Sequence, residues 1–389
     1  MNIDFKKLLS KFSSKFANAL GSRFCIGLDM GLDRLNLVQM EQLAGKMHIR
    51  AIASIAYPCS REELQANPKI LKTLLKQAYA TQPFRGKCVV SCLPIDQIKI
   101  ITITYKHTEG QDDAVAVVAE LRERYKSELD NLVVDFMSLR QEEAGSNHRD
   151  ALVALAPREK VVAYLDLLTS AGLSVNALDI GPAALARLVS HTGAIHVPEY
   201  PKLPNVLLIN FGSDSSFLTI IWGRRLMLDR PVEFSENRMF NRLKHTLDMP
   251  EELMIRLLYE NNTNAEKTNG KNVNAKSANN STDEINQMVT EVLRPEINAL
   301  LQEVNKTLVY MASKTRGKSV GQIYLTGRVA GYPGILNYLR EQLHVAVDIL
   351  DPVEVFAAEK YKLSSHSIGA MPGIALTTGL ALRGIPEHG

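Results

Sequence analysis

The sequence predicts a mixed α/β protein of two related lobes. Three observations lead there. A strand-turn pattern occurs twice: FCIGLDMG (24–31) and VLLINFGS (206–213) each run an apolar strand into an acid or its amide, one residue, then glycine. Each continues into a second apolar strand, Leu35–Met40 and Phe217–Trp222. Strands then alternate with helices in both halves, the pattern of mixed sheets flanked by helices. Between the halves, His191–Pro204 reads as a loop with three prolines.

Each element follows from local chemistry. The first strand pair covers 24–40, and apolar spacing predicts a helix over 61–81. KCVVSCLP (87–94) and IKIITITYK (98–106) read as strands, the second alternating Thr102 and Thr104 with Ile101, Ile103 and Tyr105. A helix over about 112–127 precedes strands at 131–139 and 150–157. Pro157 suits a first helical turn, and Gly172 stands at a helix C-terminus. VNALDIGP (175–182) leads into a helix over 182–190.

The second half opens with 205–222 and RLMLDRPVEF (225–234), followed by helices over 236–247 and 249–259. Asp248 and Glu251 have capping-box spacing, as do Ser281 and Glu284 at the start of a long helix to about 313, with a kink at Pro295. Strands at 321–327 and 344–350 and a helix over 369–383 close the chain. The implied domains are 1–23, a first lobe over 24–200 and a second lobe over 201–389. The asparagine-rich stretch 260–281 lacks apolar residues and is expected to be a flexible insertion.

Composition narrows the function classes. A chain of 389 residues usually splits into at least two cores. A formal charge of +3 favours no polyanionic partner, and no basic-aromatic interleaving points to nucleic acid. No uncharged apolar run reaches the roughly 20 residues a membrane span needs, and no signal peptide is visible, so a cytoplasmic protein is expected. Cys25, Cys59, Cys88 and Cys92 form no zinc-type pair and are expected to be buried free thiols. The nine histidines show no ligand spacing. Residues 1–23 read as a basic amphipathic helix, with Phe5, Leu8, Leu9, Phe12, Phe16 and Leu20 at helical spacing. Lys6, Lys7, Lys11 and Lys15 then either face a membrane surface or simply coat a helix packed on the protein, or a tail.

The glycine turns carry the candidate chemistry. Small residues let backbone approach a phosphate, and turn amides make an anion-binding concavity. The candidate nucleotide residues are Asp29, Gly31 and Asn36 in the first turn, and Asn210, Gly212, Ser213 and Ser215 in the second. A third turn, LTGRVAGYPG (325–334), adds Gly327, Arg328 and Gly331, with Gly334 beyond. Asp29 is placed to hold magnesium through water. The same turns also suit ordinary hairpins of a packed sheet, so each alone is weak evidence.

In this order the three turns resemble the phosphate-1, phosphate-2 and adenosine motifs of the actin-like ATPase superfamily, a duplicated ribonuclease H-like fold. LDIGPAALARLV (178–189) and GLALRG (379–384) narrow the resemblance to PilM and MshI-type proteins of type IV pilus assembly. The resemblance covers residue 24 to the C-terminus, is weakest over 41–130 and is absent in the asparagine-rich stretch. It implies a small α+β subdomain inserted in the first lobe at about 58–150, and a cytoplasmic scaffold peripheral to the inner membrane. That scaffold binds the cytoplasmic N-terminal peptide of a bitopic PilN-like protein, beside other platform proteins and the assembly ATPase.

It also implies an interlobe ATP site where motifs are intact. Here they are eroded. The family's first turn reads Gly-Ile-Asp-Ile-Gly-Ser-Ser-Ser-Val-Lys; this chain has Leu32, Asp33 and Arg34 for the serines and Asn36 for lysine. Asn210 replaces aspartate, and Gly327-Arg328 replaces a glycine pair. The expectation is a binding protein with weak or absent ATP and Mg²⁺ binding and at most a weak ATPase. The alternatives are a working ATP switch and a small-molecule kinase. The kinase would draw on Asp135 or Asp179, although Asp179 also suits a helix cap.

Overall fold

Residues 24–31, 33–139, 147–196, 205–222, 225–255, 258, 276–315, 317, 319–356 and 373–383 are described by a computed structural model. The first half contributes β1 (Ile26–Met30), β2 (Arg34–Leu43), β3 (Lys46–Ala56), α1 (Arg61–Ala66), α2 (Pro68–Thr81) and β4 (Cys88–Cys92). Then come β5 (Lys99–Lys106), α3 (Asp113–Tyr125), β6 (Leu132–Ser138), β7 (His148–Pro157), α4 (Arg158–Ser170), β8 (Ser174–Asp179) and α5 (Gly181–His196). The second half contributes β9 (Val206–Asn210), β10 (Ser216–Trp222), β11 (Arg225–Val232), α6 (Glu236–Leu247), α7 (Glu251–Ile255) and α8 (Lys276–Lys314). It closes with β12 (Gln322–Thr326), α9 (Pro333–Gln342), β13 (Ala346–Ile349), α10 (Pro352–Phe356) and α11 (Ile374–Arg383).

The two main sheets have one plan. Their orders are β3-β2-β1-β4-β8 and β11-β10-β9-β12-β13. In each, three antiparallel strands are followed by two strands added in parallel. This is the duplicated, two-lobed actin-like architecture. A third sheet, β5-β7-β6, carries α3 on one face through Ile103, Val117, Leu121 and Val153. It is drawn from 99–157, whereas β4, inside the range 58–150, belongs to the first main sheet.

Each main sheet buries one face under its own helices. The two remaining faces share a core built around α5 and α11, including Val38 and Ile52 of one sheet and Leu208 and Ile221 of the other. The helices meet closely because Gly379 has no side chain; a Cβ there would run into the Ala184 carbonyl. Gly27 plays the same part between β1 and α11, against Thr377. The two segments 178–189 and 379–383 thus pack together within the core that the two main sheets share.

Several expectations need correction. β3 is absent from the sequence reading because its turn, Ala44-Gly45, puts both residues at positive φ without the usual Asn-Gly signal. Its middle residues Ile49–Ala53 are all buried, so period-2 alternation is lost. Asn67-Pro68 divides 61–81 into two helices; Asn67 ends α1 and its side chain caps α2. Pro157 precedes the first helical residue instead of occupying the first turn.

The supposed loop starting at 191 is helical to His196. Asp248 is a left-handed residue (φ 50°) closing α6, not a cap opening the next helix. α8 begins at Lys276, so 276–281 is helix and Ser281 lies inside it; the rest of 260–281 lies outside the described residues. α8 is assigned without interruption through Pro295. Cys25 and Cys88 form a disulfide, leaving Cys59 and Cys92 as free thiols, with only Cys92 buried. Residues 1–23, with Lys6, Lys7, Lys11 and Lys15, lie outside the described residues, as do 369–372.

Candidate functional site

The first two glycine turns come together across the interlobe cleft, around a cavity of about 300 Å³. Asp29 and Gly31 line it from the first lobe, and Asn210, Gly212, Ser213 and Ser215 from the second. The pairing follows from the shared topology, since β1 and β9 are the central strands of equivalent sheets. Gly327, Arg328 and Gly331 are not among the lining residues.

The first turn is closed in on itself. Asp29 is buried, and its Oδ2 accepts a hydrogen bond from Asn36 Nδ2 at 3.1 Å. Asn36 Oδ1 accepts from Ser54 Oγ at 2.7 Å, which in turn accepts from Arg34 Nε at 2.9 Å. The Cα of Gly373 sits over this pair; a Cβ there would lie 2.8 Å from Asp29 Oδ2. Burial raises the Asp29 carboxyl to about 6, against lowering by Asn36, Arg61 and Cys92. Asp29 also crowds the buried Cys92 thiol, which burial pushes well above its ordinary range.

The second turn is tied to α6 instead. Glu236 and Asn237 donate their backbone N–H groups to Gly212 O (3.1 Å) and Ser213 O (3.0 Å). Asn237 Nδ2 donates to Asp214 Oδ1 at 2.8 Å. Beside it lies an acid the sequence reading missed. Asp229 of β11 accepts from Thr219 Oγ1 at 2.6 Å, and burial raises its carboxyl to about 6. The cross-strand Thr–Asp pair was the available signal, hidden in a strand otherwise read only for its length. Arg61 also lines this cavity, at the start of α1.

The third turn leans on the second. Gly327 (φ 93°) packs on Phe211, where a Cβ would meet the carbonyl. Arg328 reaches out from it to Asp33 of the first turn at 2.6 Å and to Glu236 at 3.6 Å. Gly331 faces open space.

A larger cavity of about 850 Å³ lies in the first lobe, between the uncovered face of the small sheet and α5, α11 and β8. Leu152, Ala154 and Ala156 of β7 form its floor, because β7 turns the alternate residues Ala151, Val153 and Leu155 toward α3. Asp135, Arg187, His191 and Arg383 supply its polar groups. Asp179 borders both cavities. It pairs with Arg187 through Oδ2 at 3.0 Å and with Arg383 through Oδ1 at 2.8 Å, joining α5 to α11 as an ion-pair hub, and its Oδ1 also accepts from the neighbouring Ile180 N–H. Asp135 lines the larger cavity and not the glycine-turn cleft, whereas Asp179 lines both with its carboxylate held between the two arginines.

Among the described residues no three His, Cys, Asp or Glu side chains gather as a metal site, and no helix is long and apolar enough to cross a membrane.

Comparison with known proteins agrees with this architecture. The PilM–PilN type IV pilus biogenesis complex contains a chain of similar fold: TM-score 0.67, 22% identity, covering 93% of this chain and 98% of that one. The ethanolamine utilization protein EutJ from Carboxydothermus hydrogenoformans aligns with TM-score 0.49 and 11% identity over 96% of this chain and 98% of that one. No curated protein matches by sequence. The family model described as type IV pilus assembly protein PilM matches residues 27–385, and the chain belongs to that family.

Proposed function

We propose that this protein is a cytoplasmic scaffold of type IV pilus assembly that docks an extended segment of a PilN-like partner in the 850 Å³ groove. The observation carrying this reading is the groove itself: its floor and much of its wall are apolar, with polar groups at few points, the form of a peptide-accepting site. β6 is an edge strand beside it, so an extended segment also has backbone groups to meet. The fold relative was solved in a complex with PilN, which agrees. The partner is taken to be a bitopic inner-membrane protein. Other platform proteins, the assembly ATPase and the membrane surface at Lys6, Lys7, Lys11 and Lys15 are further contacts.

The test is co-purification with such a partner, and titration of its labelled cytoplasmic segment. Saturable binding lost on filling the groove supports the reading. Absence of any complex overturns it.

Mg-ATP does not suit the residues of the cleft. Asn36 offers no positive charge to phosphates and Asn210 no negative charge to magnesium, and a charge-assisted bond is roughly twice as strong as a neutral one. Asp29 is occupied by Asn36 and covered by Gly373. The glycines have reasons within the fold: a Cβ on Gly31 would lie 3.1 Å from the Arg34 carbonyl, and one on Gly212 would strike the Ser215 carbonyl. The reading is therefore a degenerate nucleotide site without turnover. The competing reading, an ATP switch, predicts about 2.7 kcal/mol of added stability at 100 times its Kd in a thermal-shift titration with Mg-ATP.

A further inference from the structure

We propose that Arg328 is a built-in clamp that holds the two lobes closed without nucleotide. It goes beyond the scaffold reading, because it concerns the cleft and not the groove.

The arginine is anchored on the second lobe before it reaches the first. Gly327 is fixed on Phe211 by the close approach described above, and the Phe211 N–H donates to Thr326 O at 2.9 Å. Glu236, nearly buried in the first turn of α6, lies 3.6 Å from one guanidinium nitrogen. The other nitrogen donates to Asp33 Oδ2 at 2.6 Å, across 295 residues of sequence. Asp33 is anchored in its turn: its carbonyl accepts from the Tyr57 N–H at 2.9 Å, and the Tyr57 hydroxyl donates to Gly31 O at 3.1 Å. One planar cation is thus held between a carboxylate of each lobe, a geometry that suits the fork of a guanidinium better than an ammonium.

The contact joins turns, whereas the α5–α11 core joins the lobes elsewhere. A polyanion seated between two glycine turns bridges them through its phosphates. Here the bridge is made by side chains, and the two that make it, Asp33 and Arg328, stand at positions where the resemblance places serine and glycine. The two departures meet as one ion pair across the cleft.

The pair is partly exposed, at 29% for Arg328 and 56% for Asp33, so its strength is modest and salt-sensitive. Hydrogen exchange on the full chain reads it directly. In Arg328→Gln and in Asp33→Asn, amides of both turns that carry the pair, 33–35 and 327–331, are expected to exchange about threefold faster than in the unaltered protein. The double variant should exchange no faster than either single one, and Mg-ATP should leave the unaltered protein unchanged. Circular dichroism checks that each variant is folded, and either single variant suffices if the other is not. Unchanged exchange, acceleration confined to the altered turn, fully additive effects, or protection of the unaltered protein by Mg-ATP would each overturn the clamp. Binding of the partner segment is measured on the same variants and stays within twofold whichever way the clamp falls.

Discussion

The cleft and the groove are built on opposite principles. The cleft is symmetric in origin: two copies of one hairpin face each other, and the side chains of Asp29, Asn36 and Asp214 are bonded within the protein. Among the described residues, the sheet that floors the groove has no counterpart in the second lobe. The groove is made where an added sheet leaves one face uncovered beside α5 and α11. It is also larger, about 850 against 300 Å³. The proposed docking rests on that larger open volume and not on the glycine motifs.

The sharpest way to break this comparison is to disturb the seam both spaces share. Gly379→Ala places a methyl group against the Ala184 carbonyl and is expected to cost about 3 kcal/mol, read by urea unfolding. A smaller change would mean the helices part easily. Next, Ala154→Arg fills the groove floor and should weaken partner-segment binding by at least about 50-fold, roughly 2.3 kcal/mol, in a fluorescence titration. Asp29→Asn should leave that titration unmoved; equal effects from the two would erase the distinction between spaces.

Asp29→Asn has its own signature. The folded protein holds the Asp29 proton up to about pH 6, and Asp229 behaves alike, whereas an unfolded carboxyl releases it near 3.8. The folded state therefore binds more protons between these values. This contribution to stability is complete below about pH 3.8 and is lost as pH rises through about 6. Asp29→Asn removes the buried charge and should add about 2 kcal/mol at pH 8, while flattening part of that slope. A steeper fall of stability with rising pH in the variant would reverse the assignment. The smallest effect is expected far from both spaces: Arg124→Ala breaks an exposed pair with Glu120 at 3.1 Å and should change stability by less than about 0.5 kcal/mol.

Legibility in the sequence followed the physics of each region. The paired hairpins and the βα alternation were readable because strand, turn and glycine are local signals. The residues facing the cleft were readable for the same reason, since a duplicated strand places its end at an equivalent point. β3 was not, because both its faces are buried and its turn uses alanine. The Asp29–Asn36 bond was not, because it depends on register: Asp29 lies opposite Asn36 in the antiparallel pair. Arg328 was noted as a departure, but its partner Asp33 lies in the other lobe. The groove needed eight segments to converge, and only those from 178–189 and 379–384 carry a recognisable pattern. The segments 178–189 and 379–384 were recognisable as patterns before their reason was visible, which is small residues where two helices cross.

Asp179 gives that crossing a consequence for how the protein can vary. Its one carboxylate faces both chambers and fastens a helix on either side. A substitution that reshapes one chamber at this point is inherited by the other. The two chambers are therefore yoked at a single party wall, and variants of the family should change there in concert or not at all.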